Sequence, residues 1–171
     1  MPADEVNDQL ATACQKCGSA CCKKGQIFLP RDEYQQIRLH AQATGPEAVA
    51  EFDSRISDHG LFYLYNQKQG CQFLDSDNLC RLHDIGIKPT ECFWWPYHIF
   101  AGGAEELEVR LSISCCDAHK THTPDSSYPA LIVEEADRIG FDVIRAFRRA
   151  YAGTADTKLI NRIPASIESV D

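Results

Sequence analysis

Apolar and polar positions along the chain predict short strands and helices separated by well-marked turns. Gln26-Ile27-Phe28-Leu29 is an apolar run of strand length. Pro30 then opens a helix whose first turn carries Asp32 and Glu33, acids that suit the positive end of a helix dipole. Tyr34, Ile37 and Ala41 recur at helical spacing and predict one buried face, and Thr44-Gly45-Pro46 stops the helix. A second helix is predicted from Pro46 to Ser57, with Val49, Phe52 and Ile56 inward and Gly60 beyond its end. Residues 61–65 predict a strand and residues 66–70 its turn. Cys71-Gln72-Phe73-Leu74 and Leu79-Cys80-Arg81-Leu82-His83, separated by Asp75-Ser76-Asp77-Asn78, predict a tight hairpin with a cysteine on each arm.

Residues 85–95 predict a short irregular helix or loop around Pro89, closed by Pro96. The clearest hairpin follows: residues 97–100, the Gly102-Gly103 turn, and a strand in which Leu107, Val109, Leu111 and Ile113 alternate with polar residues. After a loop from Cys115 to Pro129, one long helix is predicted to Tyr151, with Ile132, Ala136, Ile139, Val143, Ala146, Phe147 and Ala150 sharing a face. Its acids Glu134, Glu135 and Asp137 come early and Arg145, Arg148 and Arg149 late, as the dipole favours, and the arginines read as a solvated face. The tail beyond Gly153 carries little pattern. No internal repeat or low-complexity linker interrupts the chain. The expectation is α+β, a small single domain across residues 1–171, helix-dominated with short β-hairpins around a cysteine-rich metal site.

Composition narrows the class. The chain has 171 residues, 44% of them hydrophobic, which suits one globular domain with a modest core. A net charge of −8 argues against nucleic acid as a partner, since displacing counterions needs a basic face. The acidic amino terminus shows no secretory signal, and no run approaches the roughly 18 apolar residues of a membrane span. A cytoplasmic protein without membrane contact is therefore expected; no protein partner is indicated.

Nine cysteines change the picture. In a reducing compartment clustered thiols read first as metal ligands, and an odd number fits a disulfide framework poorly. Cys14, Cys17, Cys21 and Cys22 follow the spacing C-x2-C-x3-C-C around Gly18; Cys71, Cys80 and Cys92 come later, then the pair Cys115-Cys116. A Cys-x2-Cys loop lets two sulfurs converge on one point, and a metal held by both groups ties distant parts of the chain together. All nine are candidate metal ligands.

Zinc and iron–sulfur clusters each take about four thiolates, so the set allows two four-sulfur sites, one multinuclear centre, or one site with spares. Cys21 and Cys22, being neighbours, are expected to diverge and serve different metals, or to split into a ligand and a bridging or packing thiol. Spacing does not separate iron, as an ion or an iron–sulfur cluster, from zinc.

Other residues carry bland readings beside sharp ones. Trp94-Trp95 either shields a redox centre or packs in the core. His83 is a candidate ligand or a donor to a sulfur, and His119 and His122 either complete a mixed site after Cys116 or lie in an exposed loop. His98 reads as a satisfied histidine, and Asp75, Asp77 and Asn78 as turn residues rather than a calcium loop. No catalytic residue is assigned.

The combination Cys14 to Cys22, Cys71-Gln72-Phe73-Leu74, Leu79-Cys80-Arg81-Leu82-His83 and Lys88-Pro89-Thr90-Glu91-Cys92-Phe93-Trp94-Trp95-Pro96 resembles the YkgJ-type cysteine-cluster family, described as zinc- or iron-chelating. The similarity spans roughly Cys14 to Cys116; Lys88 stands where that family more often has arginine, and either Cys115 or Cys116 answers to its last cysteine. The resemblance implies metal chelation and names no reaction. Metal binding is the leading expectation, with an iron–sulfur-dependent redox or modification enzyme, or a metal-stabilised interaction module, as alternatives.

Overall fold

A computed structural model describes residues 12, 14–23, 25–102, 106–113, 128–151 and 157–164. The fold is α+β, with two three-stranded antiparallel sheets and helices that carry more residues than the strands. The chain forms two compact units, and the boundary on the described chain falls between Phe93 and Trp94.

The first unit contains β1 (Gln26–Leu29), β2 (Ile56–Asp58) and β3 (Tyr63–Asn66), in the order β1-β3-β2. Ile27 of β1 and Ile56 of β2 both pair with Tyr65 of the central strand, which is 2% exposed. Helix α1 (Arg31–Thr44) and helix α2 (Pro46–Ser54) meet at Gly45, whose φ of 146° suits glycine and lets the chain turn between them. Ile37 and Ala41 are buried as their spacing predicts. Phe52 of α2 is fully buried, with Tyr34, Tyr65 and Phe73 at centroid distances of 5.8, 5.6 and 5.9 Å. Burying one such ring contributes roughly 1.5–3 kcal/mol, so this aromatic nest is a main anchor of the unit. Leu82, on the short helix α3 (Arg81–Asp84), belongs to the same core, and helix α4 (Thr90–Trp94) follows.

Three expectations for this unit change. Helix α2 ends at Ser54 instead of Ser57, because Arg55 caps it and residues 56–58 satisfy their backbone against β3. Ile56 still packs on the core, from a strand instead of a helix. The predicted strand at 61–65 shifts to Tyr63–Asn66, leaving Leu61 52% exposed. The hairpin predicted for residues 71–83 reduces to a single bridge between Leu74 and Cys80. Asp75 Oδ1 accepts the N–H groups of Asp77 and Leu79, closing the turn, and the second arm becomes α3.

The second unit contains β4 (Tyr97–Ala101), β5 (Glu106–Ser112) and β6 (Thr157–Pro164), in the order β4-β5-β6. The β4–β5 hairpin forms as predicted, but a bulge between Val109 and Arg110 shifts the phase of β5 against β6. Leu107 and Val109 are buried, whereas Ser112 replaces Leu111 as the next buried residue and Ile113 is 55% exposed.

The predicted long helix is two, α5 (Tyr128–Ile139) and α6 (Phe141–Tyr151). Gly140, at φ 95°, stops α5 by donating its N–H to Ala136 O and accepts the N–H of Val143 in α6. Arg148 is buried, not solvated: Nε donates to Ile99 O at 2.8 Å, and the guanidinium lies 4.8 Å from the Phe100 ring centre and 4.7 Å from that of Phe147. Arg145 keeps a surface ion pair with Asp142 at 3.8 Å.

Candidate metal centre

The first cysteine loop is shaped by two left-handed residues. Residues 14–17 make a helical turn in which Cys17 Sγ donates to Cys14 O at 3.5 Å. Gly18 (φ 63°) and Ser19 (φ 49°) then reverse the chain, and the N–H of Ser19 returns to Cys14 O at 3.0 Å. A serine in that conformation needs outside support. Ser19 is 1% exposed and its hydroxyl donates to Asn78 O at 2.6 Å. The 3-10 turn Ala20–Lys23 follows, carrying Cys21 and Cys22. Lys23 Nζ donates to Gly18 O at 2.7 Å and to Asn78 Oδ1 at 3.0 Å, while the N–H of Cys71 donates to Cys22 O at 2.7 Å. The loop is thus stitched along its length to the segment bearing Cys71 and Cys80.

The remaining thiols of this unit are placed by the core. Cys71, Cys80 and Cys92 all pack against the apolar cluster built on Phe52 and Tyr65. Tyr65 donates its hydroxyl hydrogen to Cys71 Sγ at 3.9 Å and accepts the N–H of Gln72 at 3.3 Å. Cys80 caps α3. Cys92 rides on α4, whose start is held by the buried carboxylate of Glu33: Oε1 accepts the Thr90 hydroxyl at 2.5 Å, and Oε2 accepts the Thr90 N–H at 3.2 Å.

Seven predicted ligands, Cys14, Cys17, Cys21, Cys22, Cys71, Cys80 and Cys92, are thus half-buried thiols in one unit, none of them in a disulfide. Cys115 and Cys116, with His119 and His122, lie outside the described residues. The adjacent pair does not diverge as expected: Cys21 and Cys22 share a hydrogen bond with sulfurs 3.9 Å apart. Two ligands at the zinc–thiolate bond length of about 2.3 Å span a tetrahedral edge of about 3.8 Å, so this pair suits a single ion. Among the described residues no three cysteine, histidine, aspartate or glutamate side chains are gathered tightly enough to hold an ion as they stand.

The thiols nonetheless act on one another electrostatically across the segments. Burial pushes Cys14 up to about 11, with Cys21, Cys17 and Cys80 adding to the rise. Burial likewise raises Cys80, and raises Cys92 well above the ordinary thiol range, with Cys71 contributing to both. The hydrogen bond within the adjacent pair, together with burial, raises Cys22 and, against burial, lowers Cys21. Lys88 pulls Cys14, Cys21, Cys80 and Cys92 toward the thiolate. The donor set is therefore soft, sulfur-rich and internally repulsive once ionised, the chemistry that zinc or iron relieves.

His83 stacks on Phe93 with centroids 6.2 Å apart, and burial followed by Lys88 holds its imidazole below the usual range, so it is neutral near pH 7. Trp94 is buried and Trp95 half-buried, the latter meeting His98 edge-on at 5.1 Å. Glu33, Ser19 and Asn78 position the segments that bear the thiols and escaped the reading of the sequence as site residues. A signal existed for Glu33: it shares a helical face with Ile37 and Ala41, and an acid on a buried face needs a partner.

The chain belongs to the CxxCxxCC family, described as "Putative zinc- or iron-chelating domain", which matches residues 13–117, more than half of its length. No curated protein and no solved structure matches the chain.

Proposed function

We propose that this protein binds zinc or iron through cysteine thiolates, in the cytoplasm, with Cys14, Cys17, Cys21, Cys22, Cys71, Cys80 and Cys92 as donors and Cys115 or Cys116 adding to them. One observation carries the reading: seven thiols from separate segments fall in one unit outside any disulfide, three of them (Cys71, Cys80 and Cys92) against its apolar core, and they perturb each other's ionisation. Bound metal supplies positive charge that holds the thiolates together. The chain's own part is to present the sulfurs. Hydrogen bonds from Ser19, Lys23 and the Cys71 N–H fix the first loop, and Glu33 fixes the helix that bears Cys92. Burial favours the protonated form of Cys14, Cys80 and Cys92 until a cation displaces the protons, so uptake releases protons.

Retention rather than turnover is the better reading, because the donors are half-buried sulfurs, three of them packed against an apolar core. Elemental analysis and an optical spectrum of anaerobically purified protein test it. Stoichiometric zinc in a colourless protein, or iron with thiolate charge-transfer bands, is the expected result. Protein with all its thiols reduced and neither metal bound overturns it.

A further inference from the structure

Among the described residues, two that are not glycine hold a left-handed backbone: Ser19, at φ 49°, and Asn78, at φ 63°. They stand 59 residues apart in sequence, yet they are bound to each other, the Ser19 hydroxyl donating to Asn78 O at 2.6 Å. Asparagine enters that region readily and serine rarely, so Ser19 keeps its conformation only because its surroundings hold it there. The hold is close. Ser19 is 1% exposed, its N–H donates to Cys14 O at 3.0 Å, and its carbonyl accepts the N–H of Cys22 at 3.0 Å. Asn78 is fixed from its own side, donating its N–H to Asp75 O at 3.2 Å within the turn that Asp75 Oδ1 closes.

This contact joins two segments that bear thiols. Ser19 stands two residues from both Cys17 and Cys21, and Asn78 two residues before Cys80. Lys23 spans the same gap, from Gly18 O to Asn78 Oδ1, but it is exposed and its bonds compete with water. The buried Ser19 hydroxyl therefore carries most of the join. Two strained residues tied by one buried bond are the arrangement of a clamp, since strain of this kind persists only where the neighbouring structure fixes it.

We propose that Ser19 and Asn78 form a clasp that holds the loop bearing Cys14, Cys17, Cys21 and Cys22 to the segment bearing Cys80, and so slows the release of a bound divalent cation. This inference rests on the chelation reading above. It makes both residues positioning residues, not ligands. Release requires the first loop to move away from Cys80. The Ser19 bond opposes that movement and the left-handed strain favours it, so loss of the bond alone tips the loop open.

The test is the rate at which Zn2+ passes from the loaded full-length protein to excess chromophoric chelator, for wild type, Ser19→Ala, Ser19→Gly and Asn78→Gly, well below the metal-free melting temperature of each. Ser19→Ala removes the bond and keeps the strain; Ser19→Gly removes both and accepts the backbone freely, so it keeps the test open if Ser19→Ala does not fold. Asn78→Gly keeps the carbonyl acceptor and the conformation. Ser19→Ala is expected to release about tenfold faster than wild type, the scale of one buried hydrogen bond, Ser19→Gly faster by less, and Asn78→Gly within about twofold of wild type. A merely structural contact lowers metal-free melting of the Ser19 variants and leaves their release at the wild-type rate. That result, or Asn78→Gly releasing as fast as the Ser19 variants, overturns the clasp while chelation stands. If the wild type itself takes up no Zn2+, the chelation reading falls and the clasp falls with it.

Discussion

Two adjacent residues, Cys21 and Cys22, differ more in chemistry than their shared place suggests. The hydrogen bond the two sulfurs share lowers Cys21 and raises Cys22, favouring charge on Cys21 and the proton on Cys22. Cys21 is therefore readier to ionise than Cys14, Cys22, Cys80 or Cys92, and the thiolate is the nucleophile. In metal-free protein, a brief pulse of iodoacetamide at pH 7 should label Cys21 ahead of Cys14, Cys80 and Cys92, as read by peptide mass spectrometry. The sign is fixed by the shifts: Cys21 is lowered, whereas burial raises the other three. Replacing Cys22 by alanine removes the donor, so Cys21 rises and its labelling slows by several-fold. Labelling of Cys21 at an unchanged rate in Cys22→Ala contradicts this account of the pair.

Among the elements, α4 is too short to be stable alone, yet it carries Cys92. Its anchor is the Glu33 carboxylate, which accepts both the hydroxyl and the N–H of Thr90 from the first turn of α1. Glu33→Ala strands those buried donors, and a loss of about 1–3 kcal/mol in urea unfolding is expected, with weaker metal retention alongside. Unchanged unfolding would show that α4 is held by other contacts.

The elements legible in the sequence were those whose pattern is local. β1 matches its apolar run, α1 its spacing between proline and glycine, and the β4–β5 hairpin its alternation. What escaped depended on partners elsewhere. Gly140 sits in an unbroken helical pattern, and only its left-handed conformation divides α5 from α6. β6 is paired along β5 while burying only Ile163, so it leaves almost no hydrophobic trace. The cysteine set was plain from spacing; the bonds from Ser19 and Lys23 to Asn78 depend on a turn some sixty residues away and have no local mark.

For the molecule as a whole, the described thiols all fall within one of the two units, so the proposed chelation would couple metal and fold there. With no three donors gathered among the described residues, an ion bound as proposed would have to draw the first-loop sulfurs toward Cys71, Cys80 and Cys92, which the core holds. Binding free energy then adds directly to folding free energy. At a free metal concentration of about 100 times Kd the gain is about 2.7 kcal/mol, or roughly 5–11 °C in Tm for a chain of this size.

Metal loading should raise Tm by that order, with the gain in amide-exchange protection concentrated in residues 14–93. Cys17→Ser should lose most of the gain because it removes a donor, yet melt close to the wild type when both are metal-free. The comparison separates ligation from packing: a metal-free Cys17→Ser protein that melts far below metal-free wild type would mark Cys17 as structural. A loaded variant that melts with loaded wild type would remove it from the donor set.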